Sequence, residues 1–301
     1  MYYPYFRGKM YELLAVRELI EKNLIDSNYI SPIIEPVRDN STFNNLLKAA
    51  NEVKYKLNVI SNPQVGEYRD VDQLPGLIKD NKMKNSIIIQ NNNTTVTISE
   101  DDLLFYDTPV EVLDDSNRNS TINVVQDSLV FNKSRIGNPK HVVVFNDCFN
   151  RQDRNTDYSK NQDENFSEYH LVYKEVGYEG FGDYSIIGKD YQDSGFAPYA
   201  VAIHIVYFDK NDILRIHHFV SDSNDDMYDP ANKLYEALEK LHNWVNSSSF
   251  DKDKNSSEGL MQLDTLFSED RYPGLGFLKK LEIMHHLEIM NRYLRKTGNT
   301  D

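Results

Sequence analysis

The 301-residue chain carries 47 acidic against 33 basic residues, a formal net charge of −14, which disfavours non-specific binding to phosphate backbones. Its 20 Tyr and 14 Phe argue against disorder, and 40% hydrophobic residues suffice for a sizeable core. A single cysteine, Cys148, excludes an internal disulfide framework. The opening residues 1–9 hold no apolar signal core, and no run reaches the roughly 18 apolar residues that span a bilayer, so a cytoplasmic protein is expected.

Taken in order, the aromatic and basic leader Tyr2–Lys9 runs into a helix over about 9–24, striped by Met10, Leu13, Leu14, Ile20 and Leu24. A strand follows at 29–37 between prolines and carries Glu35. Ser41 is positioned to cap a helix over 42–54. Strands at 57–63 and 86–90 alternate with a helix over 71–80. The polar stretch 99–115 reads as helical, and 122–126 and 141–147 read as strands. Residues 150–167 read as an exposed loop, and 167–175 as a short helix.

The densest sheet signal lies between Gly177 and Asp222. Gly180 and Gly182 surround Asp183 and Tyr184 where the backbone is free to bend. The runs 200–208 and 213–222 then flank a polar hairpin turn, Asp209 to Asp212. An amphipathic helix with Leu234, Leu238, Leu241 and Val245 precedes a polar linker at 246–258. A last helix covers about 276–294. Helices and short buried strands alternating about every 30 residues signify parallel βα units. About eight strands predict one α/β domain over 1–301, a TIM-barrel-like (β/α)8 with an irregular final third and C-terminal helices. The alternative is an open α/β sheet.

In such folds polar groups at the carboxyl ends of strands are the first candidates for chemistry. They are Glu35, Asn62, Gln90, Asp147, Asp183, His204 and Asp222. Glu35, Asp147 and Asp183 converging at a barrel mouth would suit a divalent metal ion, or would divide acid and base roles. The plainer alternative is that these residues end strands and cap helices. His204 lies mid-strand, and His217 and His218 must face opposite sides. Glu282 and His285 have the spacing of half a di-metal site but no second copy, so they and His286 are read as packing or surface residues. Asp222, Asn224 and Asp226 mimic a calcium loop, but Met227 stands at its sixth position and Lys233 at its twelfth. No P-loop, GxGxxG, GxSxG or CxxC pattern occurs.

The segments Tyr3-Pro4, Arg7-Gly8-Lys9, Glu12, Ala15 and Pro32-Ile33-Ile34-Glu35-Pro36 resemble the start of the bacterial and phage-related beta-protein family. The resemblance continues through Asn62-Pro63, Gly66-Glu67, Gly182-Asp183-Tyr184 and the C-terminal Pro273-Gly274-Leu275-Gly276, Lys279-Lys280-Leu281 and His285-His286. It implies a barrel-like α/β protein of mobile-element or defence-type loci, sometimes encoded beside a nuclease-like protein. It carries no catalytic residue across. The matching positions strengthen Lys9, Glu12, Glu35, Glu67 and Asp183 as places to look, and Lys9, Glu12, Asn62, Glu67, Tyr184 and His204 are the candidate ligand contacts. Two functions are expected to compete. One is a binding, sensor or accessory module with a protein partner; the other is a metal-assisted phosphodiester hydrolase using Glu35, Asp147 and Asp183.

Overall fold

Short apolar runs followed by polar turns can bury both faces only inside a layer of helices, and seven such runs lead the chain round a barrel. The computed structural model describes residues 1–70, 74–90, 98–107, 122–126, 139–192 and 198–298. Strands β1 (Tyr2–Phe6), β2 (Ile33–Ile34), β3 (Asn58–Ile60), β4 (Lys84–Ile89), β5 (Leu103–Tyr106), β6 (Ile122–Gln126) and β7 (Val142–Asn146) pair in sequence, all parallel. The next strand, β8 (Asp163–Ser167), belongs to another sheet. β9 (Gly180–Asp183) then pairs with both β7 and β1 and closes the barrel. Closure rules out the open sheet.

The chain forms two compact units, 1–147 with 169–184, and 148–168 with 185–301, where the sequence reading has one domain. In the first, helices α1 (Met10–Glu21), α2 (Ser41–Glu52) and α3 (Leu74–Asp80) follow β1, β2 and β3, and the single turn α4 (Tyr169–Val172) precedes β9. The cap of α2 is Asn40, whose side chain accepts from the Phe43 N–H at 3.0 Å, one residue before the expected Ser41.

Inside the barrel, alternation brings Tyr3, Tyr5, Ile33, Ile60, Ile88, Phe105, Val143, Phe145 and Tyr184 into one cluster, with aromatic centroids 4.8–5.3 Å apart. The interior is filled, and the rings explain the glycines of β9. A Cβ on Gly182 would stand 2.4 Å from Tyr3 O and 2.6 Å from the Phe145 ring, and one on Gly180 would meet the Tyr3 ring at 2.8 Å. These glycines make room inside a regular strand rather than bending it.

Two sequence expectations change in the first unit. The leader Tyr2–Phe6 is a barrel strand, and Leu103–Tyr106 is a strand inside the stretch read as helical, of which 108–115 lies outside the described residues. Of the helix expected over 71–80, residues 71–73 also lie outside them.

The second unit is built on an antiparallel sheet of order β10–β11–β8, with β10 (Ala202–Phe208) and β11 (Leu214–Val220) forming the expected hairpin. Its turn is held by Asp209, whose side chain accepts from the N–H groups of Asn211 and Ile213. β8 and the 3₁₀ turn Asn155–Lys160 replace the exposed loop read from the polar 150–167. Four helices follow: α5 (Pro230–Val245), α6 (Lys252–Asn255), α7 (Glu258–Ser268) and α8 (Leu275–Gly298). Asp229 caps α5 ahead of Pro230.

The 246–258 segment is not an open linker. Asn255 is buried and exchanges hydrogen bonds with both backbone groups of Phe208, and Ser257 caps α7. No helix among the described residues is long and apolar enough to cross a membrane.

Candidate functional site

The carboxyl ends of the barrel strands present Arg7 after β1, Glu35 after β2, Asn62 after β3, Asp107 after β5, Asp147 after β7 and Tyr184 after β9. Strand alternation decides which of these face inward. Tyr3 and Tyr5 point into the barrel, so Arg7 continues on that side; Ile33 and Phe145 likewise place Glu35 and Asp147 there.

Glu35 is 2% exposed, and both of its oxygens have partners. One oxygen accepts from the Tyr5 hydroxyl at 2.7 Å and lies 3.1 Å from Arg7 Nε; the other accepts from the Gln64 N–H at 2.7 Å. Burial of a carboxylate demands such compensation. Asn62 does not aim at the mouth cluster. It clamps β4 by accepting from the Ile88 N–H and donating to the Ile88 carbonyl, both at 2.8 Å.

The Arg7 guanidinium lies 5.6 Å from the Tyr5 ring centre and 5.7 Å from that of Tyr184. Burial works against its charge, but Tyr5, Glu35, Tyr184 and Asp107 outweigh it, and its pKa rises. Burial drives the Tyr184 phenol up, Asp107 adds to this, and Arg7 opposes it. Burial and the adjoining Glu35 hold the Tyr5 phenol well above its ordinary range. Both phenols therefore stay protonated. The mouth is a set of fixed donors, Arg7 and two tyrosines, rimmed by Asp107 and the exposed Asp147.

Asp183 is not part of it. Its neighbours Gly182 and Tyr184 face inward, so Asp183 faces outward, where it accepts from the Tyr2 hydroxyl at 2.5 Å. The expected convergence of Glu35, Asp147 and Asp183 does not form. Among the described residues no group of three or more His, Cys, Asp or Glu is arranged to hold a metal ion. Asp183→Asn is expected to lower stability by about 1 kcal/mol, the difference between a charged and a neutral acceptor for Tyr2. Ligand affinity at the mouth should not change, and a binding titration beside a denaturation curve checks both.

The Lys9 N–H approaches Glu12 at 3.5 Å across the first turn of α1, with Glu12 buried. Glu67 is exposed, 3.8 Å from Arg38, and its N–H donates to Val37 O. Gln90 is exposed at the end of β4. Sequence reasoning missed Tyr5, Gln64 and Asp107, and gave Arg7 no role. Reading Tyr2–Phe6 as a strand would have aligned Tyr3, Tyr5 and Arg7 on one face.

His204 belongs to the second unit. It faces His218 directly across the hairpin, Nδ1 to Nδ1 at 2.8 Å, with the Tyr158 ring 4.6 Å from each. Burial holds both imidazoles below their ordinary pKa, so the pair is neutral, one ring donating to the other. His217 faces the other way, as expected, towards Asp163 and the Trp244 ring. Asp222 pairs with Lys240 at 2.7 Å.

Helix α8 buries Glu282, His285 and His286, none of them on the surface. His285 accepts from the Ser257 hydroxyl and donates to Val206 O, both at 2.7 Å, and burial lowers its pKa to about 4. Glu282 accepts from the His204 N–H at 3.3 Å, its other oxygen has no partner, and burial raises its pKa to about 7. These groups lock the sheet to the helix through polar contacts.

Comparison with known proteins returns no match to a family model, to a curated protein or to a solved structure.

Proposed function

We propose that the protein is a cytoplasmic binding module, a sensor or accessory component of a bacterial anti-phage or mobile-element locus, which engages a protein partner. The observation that carries the binding reading is the engagement of both Glu35 oxygens, by Tyr5 and Arg7 on one side and Gln64 on the other. A carboxylate with three internal partners holds the mouth in shape instead of offering lone pairs to an ion or a reacting water. The locus rests on the resemblance of the segments around Arg7, Glu35, Asn62 and Tyr184, which come together at or beside the mouth. A net charge of −14 suits a basic partner, such as a protein whose own surface is built to bind nucleic acid. The competing reading, a metal-assisted phosphodiester hydrolase, has less support, because Asp183 of its expected ligand set accepts from Tyr2 on the outside of the barrel.

Isolation of the tagged chain with the products of its neighbouring genes tests this reading. A stoichiometric partner is expected, held about tenfold more weakly by Asp147→Lys, which reverses a charge on the exposed rim. A solitary protein, or one that cleaves phosphodiesters only with a divalent ion, would overturn it.

A further inference from the structure

At the opposite end of the barrel, where the strands begin, a cavity of about 590 Å³ is walled by Lys54, Lys56, Lys82 and Lys84 and floored by Tyr3, Met83 and Ile122. Four lysines around one cavity stand out in so acidic a chain. They come from a repeated device: Lys54-Tyr55-Lys56 joins α2 to β3, and Lys82-Met83-Lys84 joins α3 to β4. In each, the middle side chain is buried and anchors the loop, while Asn58 and Lys84 pair across adjacent strands.

The backbone of both loops is the same. The Lys54 and Tyr55 N–H groups bond to Asn51 O and Ala50 O, and the Lys82 and Met83 N–H groups bond to Lys79 O and Ile78 O. This is the closing turn of a helix whose last residue is left-handed, and Lys54 and Lys82 occupy that position at φ 57° and 58°. Glycine or asparagine is favoured there, and Asn23 takes it after α1 at φ 54°. Lysine at both following loops accepts backbone strain and places two charges at the rim.

Asp101, Asp102 and Glu179 act on Lys84, but Asp102 is held by Asn85 and Ser99, and Glu179 by His141. Burial and Lys56 lower the pKa of Lys84 against their pull. An anion bound among the lysines would offset this repulsion between like charges.

We infer that this cavity is a binding site for a small ligand carrying several linked phosphates. Its volume matches a small molecule, and the lysines of the two loops line it together as point charges that linked phosphate groups can meet. The linked phosphates of inorganic tripolyphosphate and of a nucleoside triphosphate present the same chemistry. The site lies apart from the mouth, so the inference stands independently of the function proposed above.

Calorimetric titration of the full chain with tripolyphosphate and with a nucleoside triphosphate, at about 50 and about 300 mM salt, tests it. One saturable site is expected, weakened by salt and roughly tenfold or more by Lys56→Ser with Lys84→Ser. Equal affinity for the two ligands would assign recognition to the phosphate chain, and tighter binding of the nucleotide would add contacts to its base. The double variant Lys54→Gly with Lys82→Gly separates binding from folding. It should raise the melting temperature by relieving both left-handed lysines, and at the same time weaken the anion. The inference is overturned if neither ligand saturates a site, if neither double variant lowers affinity, or if a single-stranded oligonucleotide displaces tripolyphosphate as the tighter ligand.

Discussion

Arg7→Met is expected to destabilise the barrel by about 3–5 kcal/mol, the cost of leaving one member of a buried ion pair without its partner. Glu35 cannot turn to solvent to recover hydration, since Tyr5 and Gln64 hold both of its oxygens in place. Glu35→Leu should cost at least as much, because it strands the Arg7 charge and removes the acceptor for the Tyr5 hydroxyl and the Gln64 N–H. The double variant should then be more stable than the sum of the two losses predicts. Two apolar side chains of similar volume leave no charge in the filled aromatic interior. Denaturant midpoints of the four proteins measure the coupling. Additive losses would show that Arg7 and Glu35 act separately, and the account of the mouth as one locked polar unit would fail.

The second large effect is a pH dependence centred on Glu282. Its folded pKa of about 7 exceeds the ordinary 4.5 because burial opposes ionisation. Between those values the folded chain holds a proton that the unfolded chain has released, so stability falls as pH rises through this window. The loss is complete above about pH 7 and is on the order of 3 kcal/mol. Glu282→Gln removes the titration while keeping an acceptor for the His204 N–H. Its amide nitrogen stays buried, so at pH 4.5 the variant should be no more stable than the parent. Its advantage should then grow up to neutrality.

His285 acts with the opposite sign. Its depressed pKa contributes stability that is lost as pH falls from 6.5 towards about 4, and it does so in both proteins, so it cancels in the difference. Melting curves of the pair at several pH values decide the matter. Parallel curves would mean that Glu282 ionises equally in both states.

The barrel was legible where burial and sequence period coincide. The apolar runs ending in Ile60, Ile89 and Asn146, with helices between the first of them, needed no tertiary information. Strand β1 was hidden by Pro4 and by a run of aromatics that resembles a leader. Strand β5 was hidden by the acidic residues before it, Glu100 to Asp102, which imitate the first turn of a helix. The misplacing of Asp183 follows from that kind of error. Once 180–183 is a strand with Gly182 facing the Phe145 ring, parity alone turns Asp183 outward. Helix α7 carries Leu260, Leu263 and Leu266 at helical spacing, and its signal was masked by the polar run before it. The burial of His285 and His286 was not readable, because it depends on α8 being covered on nearly every side.

One consequence of the chain path concerns the order in which the protein can assemble as it leaves the ribosome. The chain departs from the barrel after β7, lays down Asp163–Ser167, and returns to supply β9, whose pairing with β1 completes the ring. The partner of the departed segment is synthesised much later, His217 lying 54 residues beyond the Asp163 it meets. A nascent barrel can therefore close while a lone strand waits outside it, a state in which exposed backbone invites pairing with a neighbouring chain. That strand begins Asp163-Glu164-Asn165, and the same two carboxylates that later receive Arg215, His217 and His218 are charged guards during the wait. The polarity that gives this segment the look of a loop would also guard it until β11 arrives.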